Sequence, residues 1–345
     1  MANNSLYTLP SDAVWFSKST SAISHIQKLT LLTVTGCSSG IGAALATRLA
    51  TQTSNRVVAT ARQVSALSYL PDDAPNVLKV ALDVTSLEAI DAAFKKAVER
   101  FGRVDVVVNN AGYTVMGDTE AATAKEARDL FDTNFWGAVD VTKRALSVLR
   151  DENPKTGQQG GVILFVSSMG GFITTPGGAF YHASKFAMEG FAESVAKELD
   201  PAWNIHFSIL EPGGTTTEYL GRSFKYMATR HPAYAAPQMP TNAMLGLLGN
   251  KELLKNFSSA DDIARAMWEL LTRGQSIPIR VPLGEDAWDY VVAETDNVKK
   301  ELDSLKEFRI DEDERCTVIG ESGVIGTLDY LPRQHDNSNS NTLPN

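Results

Sequence analysis

Residues 31–50 constrain the fold of this 345-residue chain more tightly than any other stretch. Leu31-Leu32-Thr33-Val34 reads as a short buried strand running straight into Thr35-Gly36-Cys37-Ser38-Ser39-Gly40-Ile41-Gly42, and the helical pattern Ala43 to Ala50 follows. Glycines at 36, 40 and 42 let the backbone turn tightly and bring a helix N-terminus, with its free N–H groups and partial positive charge, up against a pyrophosphate. A strand before the turn and a helix after it are the context that a dinucleotide-binding motif requires.

The β-α alternation continues without a linker, so one α/β domain is expected although the length would allow two. Arg56 to Thr60 reads as the second strand, and Thr85 with Glu88 forms a capping-box signature ahead of Leu87, Ile90, Phe94, Val98 and Phe101 at helical spacing. Arg103 to Asn109 is the fourth strand, and helices are expected over about 121–150 with a break near Thr133-Asn134. Asn153 to Gly160 reads as a surface loop. Gly161 to Ser167 is an almost continuous apolar run, as a buried parallel strand should be.

After the sixth strand, Ile205 to Leu210, the chain turns irregular over 213–257, which is long for a plain connection. Tyr219, Phe224, Tyr226, Met227, Tyr234, Met239, Met244 and Leu245 suit a lid over a bulky apolar substrate, or equally the packing of that segment onto the body. Ser258 and Asp261 open a helix through Leu271, and Pro278 to Val281 is the last strand. Val291, Val298, Leu302 and Leu305 then predict an amphipathic helix over about 286–308 that packs on the body or on another subunit, ahead of a loose tail. The domain reading is therefore an N-terminal extension 1–28, a core domain 29–285 and a C-terminal piece 286–345. Ala13-Val14-Trp15-Phe16 also resembles a first strand, and Ser17 to Thr33 then reads as an inserted or alternatively spliced segment whose Leu29 to Val34 supplies the strand instead.

Two pairs carry the chemistry. Tyr181 and Lys185, four residues apart on an expected helix, share one face, so the ammonium should lower the phenol toward working pH and make a proton donor for a carbonyl. Ala61-Arg62, at the end of the second strand, stand where NAD-preferring dinucleotide folds carry an acid for the ribose 2′-hydroxyl. A small residue followed by an arginine suits a 2′-phosphate instead, which points to NADP(H).

Composition excludes other classes. A net charge of −9 without a basic stripe argues against nucleic acid. Two cysteines, Cys37 and Cys316, make no disulfide framework, and five scattered histidines show no metal-ligand spacing. His182 reads as a helix-surface neighbour of the catalytic pair. No apolar run reaches the ~18 residues of a membrane span, and no secretory leader is visible, so a cytoplasmic setting is expected.

Taken together, these motifs resemble the short-chain dehydrogenase/reductase family over roughly residues 29–285, in the family's order. The resemblance implies a Rossmann-type doubly wound parallel sheet with helices on both faces. It implies cofactor contacts at Gly36, Ser38, Ser39, Gly40, Ile41, Gly42, Arg62, Asp83, Val84, Asn110, Ala111, Gly112, Tyr181, Lys185, Pro212, Gly213, Thr215 and Thr217. Its catalytic set falls on Asn134, Ser168, Tyr181 and Lys185, with Ser168 favoured over Ser167 because it lies thirteen residues before the tyrosine. In that set Tyr181 donates the proton, Lys185 holds the nicotinamide ribose, Ser168 binds the carbonyl oxygen and Asn134 anchors a water. Within the family the chain is similar to NADP(H)-preferring members related to steroid, retinol and acyl-dihydroxyacetone phosphate reductases and to reductases of fungal secondary metabolism. The expected activity is reduction of a ketone or aldehyde, or its reverse, on a small, mainly apolar molecule. A non-catalytic cofactor-binding scaffold and an epimerase, dehydratase or cyclase are the alternatives. A homo-oligomer through helices near 121–150 and 179–199 is expected from the resemblance.

Overall fold

Alternate residues of each central strand face opposite sides, and both sides are apolar here, so the strands can be buried only in a sheet covered by helices on both faces. The computed structural model, which describes residues 30–52, 55–216, 223–308, 319–320 and 323–324, has that architecture. In the compact unit 4–296, β1 (Leu31–Val34), β2 (Arg56–Ala61), β3 (Val77–Ala81), β4 (Val106–Asn109), β6 (Gly161–Val166), β7 (Ile205–Pro212) and β11 (Arg280–Leu283) form one sheet. Its order is β11-β7-β6-β4-β1-β2-β3, and every pairing is parallel.

Leu32, Val34, Val106, Val108, Val162 and Leu164 point to the face covered by α1 (Gly40–Gln52) and the helix Ala260–Thr272. Leu31, Val107, Ile163 and Phe165 point to the other, against α2 (Leu87–Phe101), α4 (Gly137–Ser147) and α5 (Ala179–Glu198). Full burial of a side chain such as Phe165 is worth about 1.5–3 kcal/mol, so β6, buried at all six positions, is a main source of cohesion. The winding reverses between β1 and β4, and such a reversal opens a crevice at the carboxyl ends of those two strands.

Several boundaries depart from the sequence reading. Thr85 does not cap α2: its N–H and hydroxyl both go to Asp83 Oδ1, at 3.0 and 2.7 Å. Ser86 takes the cap, accepting from Ala89 N–H at 3.2 Å. The later helix is likewise capped one residue on, by a box of Ser259 and Asp262. The expected break near Thr133-Asn134 is a π-helical turn, Asp132–Trp136, which joins α3 (Ala124–Phe131) to α4 without interruption. Segment 153–160 is not simply a surface loop, because Asn153 is fully buried and clamps Val104 N–H, Val104 C=O and Gly160 C=O.

The described residues of segment 213–257 form more regular structure than expected. β8 (Thr215–Thr216) pairs with β10 (Ser258–Ser259), and β9 (Phe224–Tyr226) pairs in parallel with β5 (Thr114–Met116). The helices Pro240–Leu248 and Lys251–Leu254 follow β9. Phe224 and Met227 are buried, Met227 against Val115 and Leu130, which is the packing alternative; Tyr226 is exposed. Tyr219 lies outside the described residues, as do the Ala13–Phe16 strand, the 17–29 part of the supposed insertion, Cys316 and the 309–318 and 325–345 parts of the tail. The C-terminal helix spans Glu285–Ser304. Its expected apolar stripe is exposed at Val298, Leu302 and Leu305. In the second unit, Ile319–Gly320 pairs antiparallel with Gly323–Val324.

Candidate active site

The glycine turn closes against the end of β4. Thr35 Oγ1 accepts from the N–H groups of Asn110 and Ala111, both at 2.9 Å, and Asn110 Nδ2 donates to Thr35 C=O at 2.8 Å and Gly36 C=O at 3.2 Å. The Asn110 side chain is therefore used in holding the turn. Gly36 has φ +68°, and a Cβ there would lie 2.8 Å from Ala111 Cα. On Gly42 a Cβ would lie 2.6 Å from Gly36 O. Only glycine permits this closeness, which leaves the first turn of α1, starting at Gly40 beside partly exposed Ser39 and exposed Ser38, open to an anion. These residues fit a dinucleotide pyrophosphate.

At the end of β2, Ala61 is buried in the core cluster and Arg62 is exposed. Arg62 thus presents the available side chain at this edge, and its charge reaches Asp83. The Asp83 carboxyl is held below its usual range, first by the Thr85 N–H, then by the Thr85 hydroxyl and by Arg62. Val84 is buried and packs against Gly137, where a Cβ would come within 2.7 Å of it.

Four side chains named from the sequence meet at the carboxyl edge of the sheet. Ser168, just past β6, lies within hydrogen-bonding reach of Tyr181, in the first turn of α5, as does Thr114, and the Ser168 hydroxyl donates to Pro212 C=O at 3.5 Å. Lys185 is buried, with Nζ 2.8 Å from Val166 C=O and 5.9 Å from the centre of the Tyr181 ring. A Cβ on Gly112 would meet Asn134 Oδ1 at 3.1 Å and Lys185 Nζ at 3.8 Å, so Asn134 and Lys185 flank one glycine. Asn134, in the π-helical turn, accepts from Tyr113 N–H at 3.0 Å and donates to Tyr113 C=O at 2.9 Å and Ser184 Oγ at 3.1 Å. Both its amide hydrogens are used, so a water could sit only at a remaining oxygen lone pair.

The electrostatics differ from the expectation. Burial raises the Tyr181 phenol against the opposing contacts from Ser168 and Thr114, so the anticipated lowering by Lys185 is not the controlling effect. Burial also lowers Lys185 to about 8, partly offset by the charge of Glu189. Ser167 donates to Glu189 Oε1 at 2.5 Å, so it serves a buried carboxylate while its neighbour faces Tyr181. Arg280 joins Glu189, Glu193 and Glu211. Burial and the charge of Glu189 raise Glu211 to about 7.

Beyond β7, Gly213 N–H donates to Leu283 C=O at 2.9 Å and Gly214 N–H to Asp286 Oδ2 at 2.6 Å, fixing the turn after Pro212. Thr215 donates to Gly213 C=O at 3.1 Å, and Thr217 lies outside the described residues. Sequence reasoning missed Thr114, Ser184, Asp286 and His182. His182 is not a helix-surface residue: it is buried and both ring nitrogens are engaged. Ser184 carried a signal, since it lies between Tyr181 and Lys185 in the same segment. Thr114 carried none, because its approach depends on the pairing of β5.

A short chain dehydrogenase family model matches residues 30–227. Oxidoreductase calM of Penicillium decumbens is 41% identical over 88% of this chain and 94% of its own length. Retinol dehydrogenase 8 of Bos taurus is 35% identical over 69% of this chain and 76% of its own. The crystal structure of a short-chain dehydrogenase from Streptomyces avermitilis superposes with TM-score 0.70 at 32% identity, covering 81% of this chain and 98% of that one. An alcohol dehydrogenase from Thermococcus sibiricus, complexed with 5-hydroxy-NADP, superposes with TM-score 0.58 at 26% identity over 74% and 96%. The chain belongs to the short-chain dehydrogenase/reductase family of oxidoreductases.

Proposed function

We propose that the protein is an NADP(H)-dependent reductase that converts a ketone or aldehyde on a small, mainly apolar molecule to the alcohol. The observation that carries this reading is the meeting of the Ser168 and Tyr181 hydroxyls beside buried Lys185, at the sheet edge that holds the glycine turn. The bound dinucleotide supplies the hydride to the carbonyl carbon. Tyr181 gives its proton to the carbonyl oxygen, and its raised pKa keeps it in the donating form at neutral pH. Ser168 donates a hydrogen bond to the same oxygen as negative charge develops there. Lys185, with one N–H on Val166 C=O, has two donors left for ribose hydroxyls. Asn134 fixes the Tyr113 backbone and Ser184, and so holds α5 in place.

Exposed Arg62, following Ala61 where an NAD-selective site would carry an acid, supports NADP(H). The apolar border of Tyr181 supports an apolar substrate: partly buried Tyr113 and Phe180 flank it, backed by the buried cluster of Val115, Leu130 and Met227. The name of the bovine relative, a retinol dehydrogenase, fits the same substrate class. A reducing cytosol suits a chain whose Cys37 is a buried free thiol.

The test is incubation of pure protein with NADPH and a panel of apolar ketones and aldehydes, following cofactor absorbance and product mass together. Cofactor oxidation matched by a gain of two hydrogens per product supports the reading. A product of unchanged mass, or one short of a water, with no cofactor consumed would assign epimerisation or dehydration instead.

A further inference from the structure

We propose that His182 is a positioning residue that sets the Ser168 hydroxyl against Tyr181. The proposal rests on the reading of Ser168 and Tyr181 as the pair that handles the carbonyl oxygen. His182 follows Tyr181 on α5, yet its ring turns inward and is only 7% exposed. Thr175 N–H lies 3.0 Å from Nε2, and a backbone N–H can only donate, so Nε2 is an acceptor. The neutral imidazole then carries its hydrogen on Nδ1, which donates to Gly170 C=O at 2.9 Å. The N–H of that same Gly170 donates to Ser168 Oγ at 3.0 Å. One residue thus links imidazole to hydroxyl, its carbonyl on His182 and its amide on Ser168.

The slot for the ring is built for it. A Cβ on Gly170 would lie 2.9 Å from His182 Nδ1, and one on Gly178 would lie 2.6 Å from Nε2. Both glycines therefore clear space for the imidazole. The segment from Ser168 to Gly178 also packs on α5 through Met169–Gly171 and is tied to it by the backbone bond from His182 N–H to Gly178 C=O at 2.8 Å, but His182 makes the side-chain hydrogen bonds that reach Gly170 and Thr175. His182 fastens this segment at Gly170 and Thr175 to the helix turn that carries Tyr181. The separation of the two hydroxyls follows from that clamp.

The test compares His182→Asn, His182→Gln and His182→Phe, each alone and combined with Ser168→Ala. The readouts are kcat, KM for the carbonyl substrate and NADPH affinity by fluorescence. Asparagine places an amide N–H near the position of Nδ1 and keeps the bond to Gly170. Glutamine reaches the position of Nε2 and keeps the bond to Thr175 only. His182→Phe and His182→Gln should lower kcat, on the order of 10²-fold for a misplaced catalytic group, with NADPH affinity unchanged, while His182→Asn should retain most of it. With Ser168 already alanine, the phenylalanine change should cost little more, because coupled residues are non-additive. A full additional loss in the Ser168→Ala background, or glutamine rescuing better than asparagine, would overturn the clamp while leaving the reductase reading intact. Full activity of Ser168→Ala alone would overturn both. If His182→Phe fails to fold, the order of Asn and Gln still decides.

Discussion

Tyr181 and Lys185 stand one helical turn apart, and burial acts on them in opposite senses: it raises the phenol and lowers the ammonium to about 8. The free enzyme therefore holds Tyr181 protonated at neutral pH, ready to donate. Reductive kcat/KM should be level through neutrality and fall as pH rises past about 8, where Lys185 loses its charge. Alcohol oxidation needs the phenolate, and because burial raises the phenol it should gain rate only at higher pH than the range in which Lys185 titrates. A pH profile in both directions checks this; a reductive rate that climbs above pH 8 would contradict it.

Adjacent serines should separate cleanly. Ser168→Ala should lower kcat by roughly 10²–10³-fold, as loss of one oxyanion donor does. Ser167→Ala should leave kcat nearly unchanged and lower stability instead, by about 1.5–3 kcal/mol, because buried Glu189 loses a hydrogen bond to a charged acceptor. Kinetics and thermal melts on the two variants decide it, and the reverse order would move the catalytic role to Ser167.

The segment after β9 is latched at one buried carboxylate. Asp118, fully buried, accepts from Arg230 Nε at 2.6 Å and Nη2 at 3.0 Å and from His231 N–H at 3.1 Å. The hydrogen bond from Arg230, foremost, holds Asp118 below the usual aspartate range. A lowered folded pKa means that this contribution is complete at neutral pH and disappears only as pH falls through the lowered value. Asp118→Asn should raise substrate KM more than it lowers kcat and expose segment 228–242 to protease. Unchanged KM and cleavage would show that the latch does not order the substrate wall.

Much of the site was legible because its spacing is local. The turn at Gly36–Gly42 and the pair Tyr181 and Lys185 each lie within one short segment, so periodicity and steric rules sufficed. The roles of Thr114, His182 and Asp286 depend on contacts between segments that the sequence does not bring together: β5 against β9, the 168–178 segment against α5, and the C-terminal helix start against the turn after β7. Cap positions shifted by one residue: Thr85 is held by Asp83, leaving the cap to Ser86, and Ser259 closes a capping box with Asp262. Burial of Ala61 beside exposed Arg62 likewise follows from the strand's facing, which the sheet determines.

Cofactor choice should follow Arg62. Arg62→Ala should weaken NADPH selectively, by about 1–3 kcal/mol if it makes a charge-assisted contact to the 2′-phosphate. Arg62→Asp should go further and swing preference toward NADH, whose 2′-hydroxyl can donate to the new carboxylate. Because Ala61 packs in the core, an acid placed there would disturb the fold and test nothing about selectivity. The readout is kcat/KM for NADPH over NADH at fixed ionic strength. A wild-type ratio below one would contradict the NADP(H) assignment.

Tyr181→Phe tests the central claim most directly, since it removes the phenolic oxygen and its proton and leaves the ring in place. Measured against an apolar carbonyl that the wild-type protein reduces, the variant should bind NADPH with near wild-type affinity and lose roughly 10²–10⁴-fold in kcat, the scale of a missing general acid. Turnover close to wild type would show that Tyr181 is not the proton donor and that the site works by another route.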